Sequence, residues 1–208
     1  AFAFFGTAES ENNLQKNDAS LVYEAFQNRT RRVVKEALPA VVTIQVKIFS
    51  GNMERGEAVS LGTGFFIGVD GTLLTNEHVV RGADTIEVLF YDGDKRRAKI
   101  VKSDQNIDLA LLKIEPNGKK IKALILGDSG KAEYMDFVAA IGAPLGYGFT
   151  ATFGVISNPK RQTPKGFKEF ELRRGVDLEV YYYIQTDAEI NQGNSGGPLV
   201  SILTGEVI

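Results

Sequence analysis

Gly193-Asn194-Ser195-Gly196-Gly197-Pro198 sets one hydroxyl among glycines. Glycine has no Cβ and reaches backbone conformations closed to other residues, so such a run can turn tightly and leave the serine exposed. Serine is a weak nucleophile by itself and needs a base within hydrogen-bond reach. The chain contains a single histidine, His78, in Leu73-Leu74-Thr75-Asn76-Glu77-His78-Val79-Val80. A lone histidine is more often a surface or core residue than a catalyst. This one follows an apolar run, where a loop can present the ring. The base in turn needs an orienting carboxylate. Asp108 is the leading candidate because it opens the apolar run Leu109-Ala110-Leu111-Leu112-Lys113-Ile114. An aspartate in that place is commonly only a turn residue, and Asp104, Asp128 and Asp187 compete by residue type. Together these groups describe acyl transfer: Ser195 attacks a carbonyl, His78 takes the hydroxyl proton and Asp108 holds the ring. The Gly193-Asn194-Ser195 turn, through the N–H groups of Gly193 and Ser195, could receive the oxyanion.

Composition narrows the setting for that chemistry. The chain has 208 residues, 43% of them hydrophobic and 24% charged, with a net charge of −2. That is ordinary for a globular protein and argues against bulk nucleic-acid binding. Cysteine is absent, which removes disulfides, thiolate nucleophiles and cysteine zinc sites. With one histidine besides, a tight transition-metal site is disfavoured. No apolar run approaches the roughly 18 residues of a membrane span. The start, Ala1-Phe2-Ala3-Phe4-Phe5, has the small-x-small look of an export cleavage region, without its basic and long apolar parts.

The elements that must carry the site follow from periodicity. Residues 1–20 read as a flexible segment. Leu21 to Ala37 reads as a helix whose Val22, Phe26, Val33, Val34 and Ala37 share a broad face, with Ser20 as N-cap and Pro39 as the stop. Beyond Pro39 the period becomes that of strands. Val41–Ile48, Thr63–Val69, Thr72–Leu74, Thr85–Phe90, Ala98–Val101 and Leu109–Ile114 are the candidates, and Asp70-Gly71 marks a hairpin. They predict a small antiparallel barrel, so residues 21–115 form one unit carrying His78 and Asp108. A linker near Pro116-Asn117-Gly118 opens a second strand-rich unit, residues 116–208, carrying Ser195. Its candidates are Ile121–Leu126, Phe137–Ile141, Thr150–Ser157, Val180–Thr186 and Pro198–Ile202. Between Asn158 and Asp177 lies a loop rich in Lys and Arg, read as solvated or as a regulatory contact beside the site.

The order His78, Asp108, Ser195 is that of chymotrypsin-like proteases and differs from the subtilisin and α/β-hydrolase orders. The chain resembles the protease domain of the HtrA/Deg family of trypsin-like serine proteases. The matching segments include Leu38-Pro39-Ala40-Val41-Val42-Thr43-Ile44, Gly62-Thr63-Gly64-Phe65-Phe66-Ile67 and Thr75-Asn76-Glu77-His78-Val79-Val80. Asp108-Leu109-Ala110-Leu111-Leu112-Lys113-Ile114, Leu126-Gly127-Asp128-Ser129 and Ile141-Gly142-Ala143-Pro144-Leu145-Gly146 continue the likeness. It closes with Ile184-Gln185-Thr186-Asp187-Ala188-Glu189-Ile190-Asn191 and Gly193 to Leu199, and so spans about residues 30–208.

The resemblance implies an all-β, chymotrypsin-like double antiparallel β-barrel with an N-terminal helix. It implies His78 as general base, Asp108 as orienter, Ser195 as nucleophile and Ile190 in a pocket for small or medium aliphatic residues. It further implies an ATP-independent endopeptidase that degrades misfolded or unfolded proteins, with no metal or organic cofactor. Relatives assemble as homotrimers or higher oligomers through N-terminal segments, here Phe2 to Phe5 and the residues after them. They work in the periplasm, another exported setting or an organelle lumen. Segment 158–180 falls where relatives carry a sensor loop. Glu189 and Gln192 depart from the family pattern. The chain ends at Ile208, where relatives continue with further strands and PDZ domains, so the second barrel is expected to be incomplete and a PDZ domain absent. The alternative is a non-catalytic chaperone or binding module, or an inactive fragment, that keeps the fold.

Overall fold

A computed structural model of the chain describes residues 8–49, 57–143, 148–162 and 182–208. The long helix α1 (Ala8–Ala37) comes first, and the chain stops its helical course at a 3-10 turn, Leu38–Ala40, that contains Pro39. Strands β1 (Val41–Phe49), β2 (Glu57–Phe66) and β3 (Thr72–Thr75) follow, then the short helix α2 (Glu77–Val80). Next come β4 (Thr85–Leu89), β5 (Lys95–Asp104) and β6 (Leu109–Ile114). The second half contains β7 (Phe137–Gly142), β8 (Thr150–Gln162), β9 (Tyr182–Thr186) and β10 (Leu199–Ser201).

Strands β1 to β6 close into a barrel in the order β1-β2-β3-β6-β5-β4, which leaves none of them an unpaired edge. Its interior is filled by residues that alternate along the strands, as a two-residue period demands. Val42, Ile44 and Val46 of β1 point inward, with Phe66, Leu73, Val88 and Leu112. The second half is a four-stranded sheet in the order β10-β7-β8-β9. Among the described residues that sheet is not closed. Val41 and Phe65, on the outer wall of the barrel, form a second core with Val33 and Ala37 of α1, with Ala139, Ile141 and Val200 of the sheet, and with Ile202 just beyond β10. Burial of each valine, isoleucine and phenylalanine among them contributes about 1.5–3 kcal/mol. The helix and the second sheet are thereby attached to the barrel that carries His78.

Three expectations change. The helix begins at Ala8 rather than Leu21, because neither glycine nor proline interrupts residues 7–38. The second strand runs from Glu57 to Phe66 and ends before Val69, where the Asp70-Gly71 turn takes over. The expected strand Ile121–Leu126 does not form. Ile121 enters the first core and Leu124 the second, so this stretch crosses between the halves instead of alternating along a sheet. Leu124 N–H donates to the Phe66 carbonyl at 2.8 Å, and Leu126 makes only an isolated parallel bridge to Val207. The Phe2–Phe5 start, Pro144-Leu145-Gly146 and residues 163–181 of the charged loop lie outside the described residues.

Candidate active site

Strand β3 pairs with β6 so that Thr75 faces Ala110. His78 lies three positions beyond Thr75, and Asp108 two before Ala110. Both therefore emerge at the same end of the pair. Asp108 has φ 50°, in the left-handed region that aspartate tolerates better than most residues. That backbone turns its carboxylate back onto α2. Oδ1 accepts the His78 backbone N–H at 2.9 Å, and Oδ2 lies 2.7 Å from His78 Nδ1. A carboxylate can only accept, so Nδ1 carries the proton and the lone pair of the neutral ring is at Nε2. Both side chains remain nearly half exposed, at 48% and 42%, so another molecule can reach the ring. Asn76 locks the corner from behind, with Nδ2 donating to the Asp108 carbonyl at 2.9 Å.

The rival aspartates are occupied elsewhere. Asp104 accepts from Asn106 N–H, Asp128 from Gly130 N–H and Asp187 from Val155 N–H. Each closes a local turn or joins neighbouring backbone segments. Among the described residues no three histidine, aspartate or glutamate side chains gather as a metal centre would require.

Ser195 stands on the turn before β10, and its peptide groups are held one by one. Asn194 N–H donates to Asn191 C=O at 3.0 Å, and Gly197 N–H donates to Asn194 C=O at 2.8 Å. The barrel supplies the remaining anchors through Thr63. Its N–H donates to Ser195 C=O at 2.8 Å and its Oγ1 to Gly193 C=O at 2.6 Å. Gly196, at φ 85°, passes so close to the barrel that a Cβ there would collide with Thr63 C=O and Thr75 Oγ1. Only glycine fits that contact. Among the described residues neither Gly193 N–H nor Ser195 N–H has a protein acceptor, and no hydrogen bond joins His78 to Ser195. The Asn194 side chain is buried beneath the turn, with Oδ1 unpartnered.

Ile190 is exposed and lines a cavity of about 400 Å³ with Ala140, Ile141, Tyr182, Asn194 and Leu199. A larger cavity, about 830 Å³, lies beside Phe26, Arg29 and Phe137 and is lined by none of the predicted site residues. Glu189 is exposed, accepts from Asn191 Nδ2 at 3.1 Å and makes no ion pair among the described residues. Residue type alone assigns no individual role to Thr63, Asn76 or Asn191. The available signal for Thr63 is its place between two glycines: a Cβ at Gly62 would meet Val79 at 2.6 Å and Ser195 C=O at 3.3 Å.

A family model described as the trypsin-like peptidase domain matches residues 62–208. Serine protease HTRA1A of Danio rerio is 42% identical over 197 residues, covering 94% of this chain and 38% of that protein. A probable periplasmic serine endoprotease, DegP-like, of Marinomonas sp. (strain MWYL1) is 43% identical over 155 residues, covering 74% and 30%. The solved structure of HtrA-type protease AlgW with tripeptide superposes with a TM-score of 0.71 at 37% identity, covering 86% of this chain and 52% of that one. The chain spans well under half the length of these curated relatives.

Proposed function

The chain belongs to the trypsin-like peptidase family, with HtrA-type serine proteases among its relatives, and from that premise we propose that it is a serine endopeptidase acting through an acyl-enzyme on Ser195. The observation that carries this reading is the His78–Asp108 pair at 2.7 Å on the same barrel that grips the Ser195 turn. His78 Nε2 takes the Ser195 hydroxyl proton while Oγ bonds to the scissile carbonyl carbon. The Gly193 and Ser195 N–H groups receive the resulting oxyanion. The imidazolium, balanced by Asp108, returns its proton to the leaving amine as the C–N bond breaks. Water then repeats the cycle on the ester and frees Ser195.

The cavity beside Ile190 suits a small or medium aliphatic side chain before the cut. Substrates are unfolded or misfolded proteins, whose extended segments enter such a cleft without ATP. The chain assembles as a homotrimer through α1 and the residues before it, and works in an exported setting. The name of the DegP-like relative, a periplasmic endoprotease, supports that location.

An organophosphonate probe tests the reading. The 208-residue chain is expected to be labelled at Ser195, with labelling abolished in Ser195→Ala and slowed about 10³-fold or more in His78→Ala. Unfolded casein is expected to be cleaved with the same dependence. Casein binding without labelling or turnover would instead identify a non-catalytic client-binding module.

A further inference from the structure

We infer that Thr63 is a positioning residue for the nucleophile turn, its hydroxyl anchoring the Gly193–Asn194 peptide plane that lies between the two planes carrying the Gly193 and Ser195 N–H groups. This rests on the acyl-enzyme reading of Ser195. Thr63 belongs to β2 in the first barrel and is fully buried. A buried threonine serving only its own barrel would place its hydroxyl on a neighbouring strand or on its own strand backbone. This one instead reaches across to two segments of the second half. Oγ1 donates to Gly193 C=O at 2.6 Å and accepts the Ala143 N–H, just beyond β7, at 2.9 Å. One hydroxyl donor and one acceptor site are thereby both used.

The backbone of the same residue completes the grip. Thr63 N–H holds Ser195 C=O at 2.8 Å, and Thr63 C=O accepts from Thr75 Oγ1 at 2.7 Å. Ser195 N–H lies in the peptide plane whose carbonyl is that of Asn194. Thr63 therefore fixes the plane before it, through Gly193 C=O, and the plane after it, through Ser195 C=O. Gly193 has φ 100° and no side chain to restrain it, so its conformation depends on outside anchors. Without the Oγ1 anchor the Gly193–Asn194 plane is held only through its Asn194 N–H on Asn191 C=O. A tilt of that plane displaces the two flanking planes, whose Gly193 and Ser195 N–H groups then cease to point at one oxygen.

The test compares second-order organophosphonate labelling of the 208-residue chain in Thr63→Val, Thr63→Ala, Thr63→Ser and Val88→Ala. Val88 is buried in the barrel interior, away from the turn, and its truncation supplies a matched loss of stability. Labelling is expected to fall about 10- to 100-fold in Thr63→Val and Thr63→Ala, up to the scale of a group displaced by about 1 Å and below that of a lost oxyanion donor. It is expected to stay within about threefold in Thr63→Ser and in Val88→Ala. Hydrolysis of a small p-nitrophenyl ester should lose kcat with KM nearly unchanged, the signature of an interaction made in the transition state. Two hydroxyl-free variants keep the outcome decidable if one fails to fold. Parental labelling in either of them, slowing in Thr63→Ser equal to theirs, or equal slowing in Val88→Ala would overturn the assignment while leaving the Ser195 chemistry standing. A parental chain that takes no label would remove the acyl-enzyme reading and this assignment with it.

Discussion

Asp108 holds His78 by two separate bonds, one to the ring and one to the backbone N–H of the same residue. The backbone bond sets the position of the carboxylate, and the ring bond sets the tautomer. An amide at this position keeps the first and spoils the second, because a side-chain NH₂ facing Nδ1 moves the ring proton to Nε2. Asp108→Asn is therefore expected to fold normally, since asparagine also tolerates a φ of 50°. Its rate of organophosphonate labelling should fall about 10⁴-fold. A loss below about tenfold would show that Asp108 does not orient the base.

The β3–β6 pair sets both ends of this part of the molecule by register. At one end Thr75 opposite Ala110 brings His78 to Asp108; at the other Thr72 opposite Lys113 brings Lys113 to the Asp70 turn. The Lys113 ammonium, hydrogen-bonded at 2.5 Å, is the main cause that holds the Asp70 carboxyl at about 2, below its ordinary 3.8. The folded value is the lower one, so the contribution is complete above about pH 4 and fades as pH falls toward 2. Asp70 is well exposed, and the effect on stability is correspondingly small. Urea midpoints of the parent chain and Asp70→Asn should differ at about pH 6 and converge near pH 2. A difference that persists in acid would mean that the turn depends on the side chain's shape rather than on its charge.

The barrel's outer wall is the common floor of the whole molecule. Val41 and Phe65 belong to the barrel but are buried against α1 and the second sheet, so the Ser195 turn rests on the same barrel that carries His78. Toward its start α1 leaves that core, and Leu21, Val22 and Tyr23 are 62%, 70% and 63% exposed. Contiguous apolar exposure of this kind fits a contact between copies of the chain. Sedimentation is expected to give about three times the 22.7 kDa chain mass, shifting toward the monomer in Val22→Glu. A monomeric parent chain at micromolar concentration would exclude assembly through this helix.

Local pattern makes much of this protein readable. The β-branched alternation of Val41–Ile48, the Asp70-Gly71 turn and the apolar run after Asp108 specify strands whose inward residues close a barrel. The type and order of His78, Asp108 and Ser195 point to acyl transfer without any geometry. What sequence leaves open is set by contacts between residues far apart in the chain. Asp104, Asp128 and Asp187 equal Asp108 by type, and only the β3–β6 register selects which carboxylate meets the ring. Ile121–Leu126 has the composition of a strand but serves as a connector, because two cores draw on residues three apart. Thr63 bonds Gly193 across 130 positions, a pairing that no local periodicity encodes. Residue types determined which chemistry was possible; the packing of the second half against the barrel decided which atoms meet, because hydrogen bonds depend on tenths of an ångström that only tertiary contacts set.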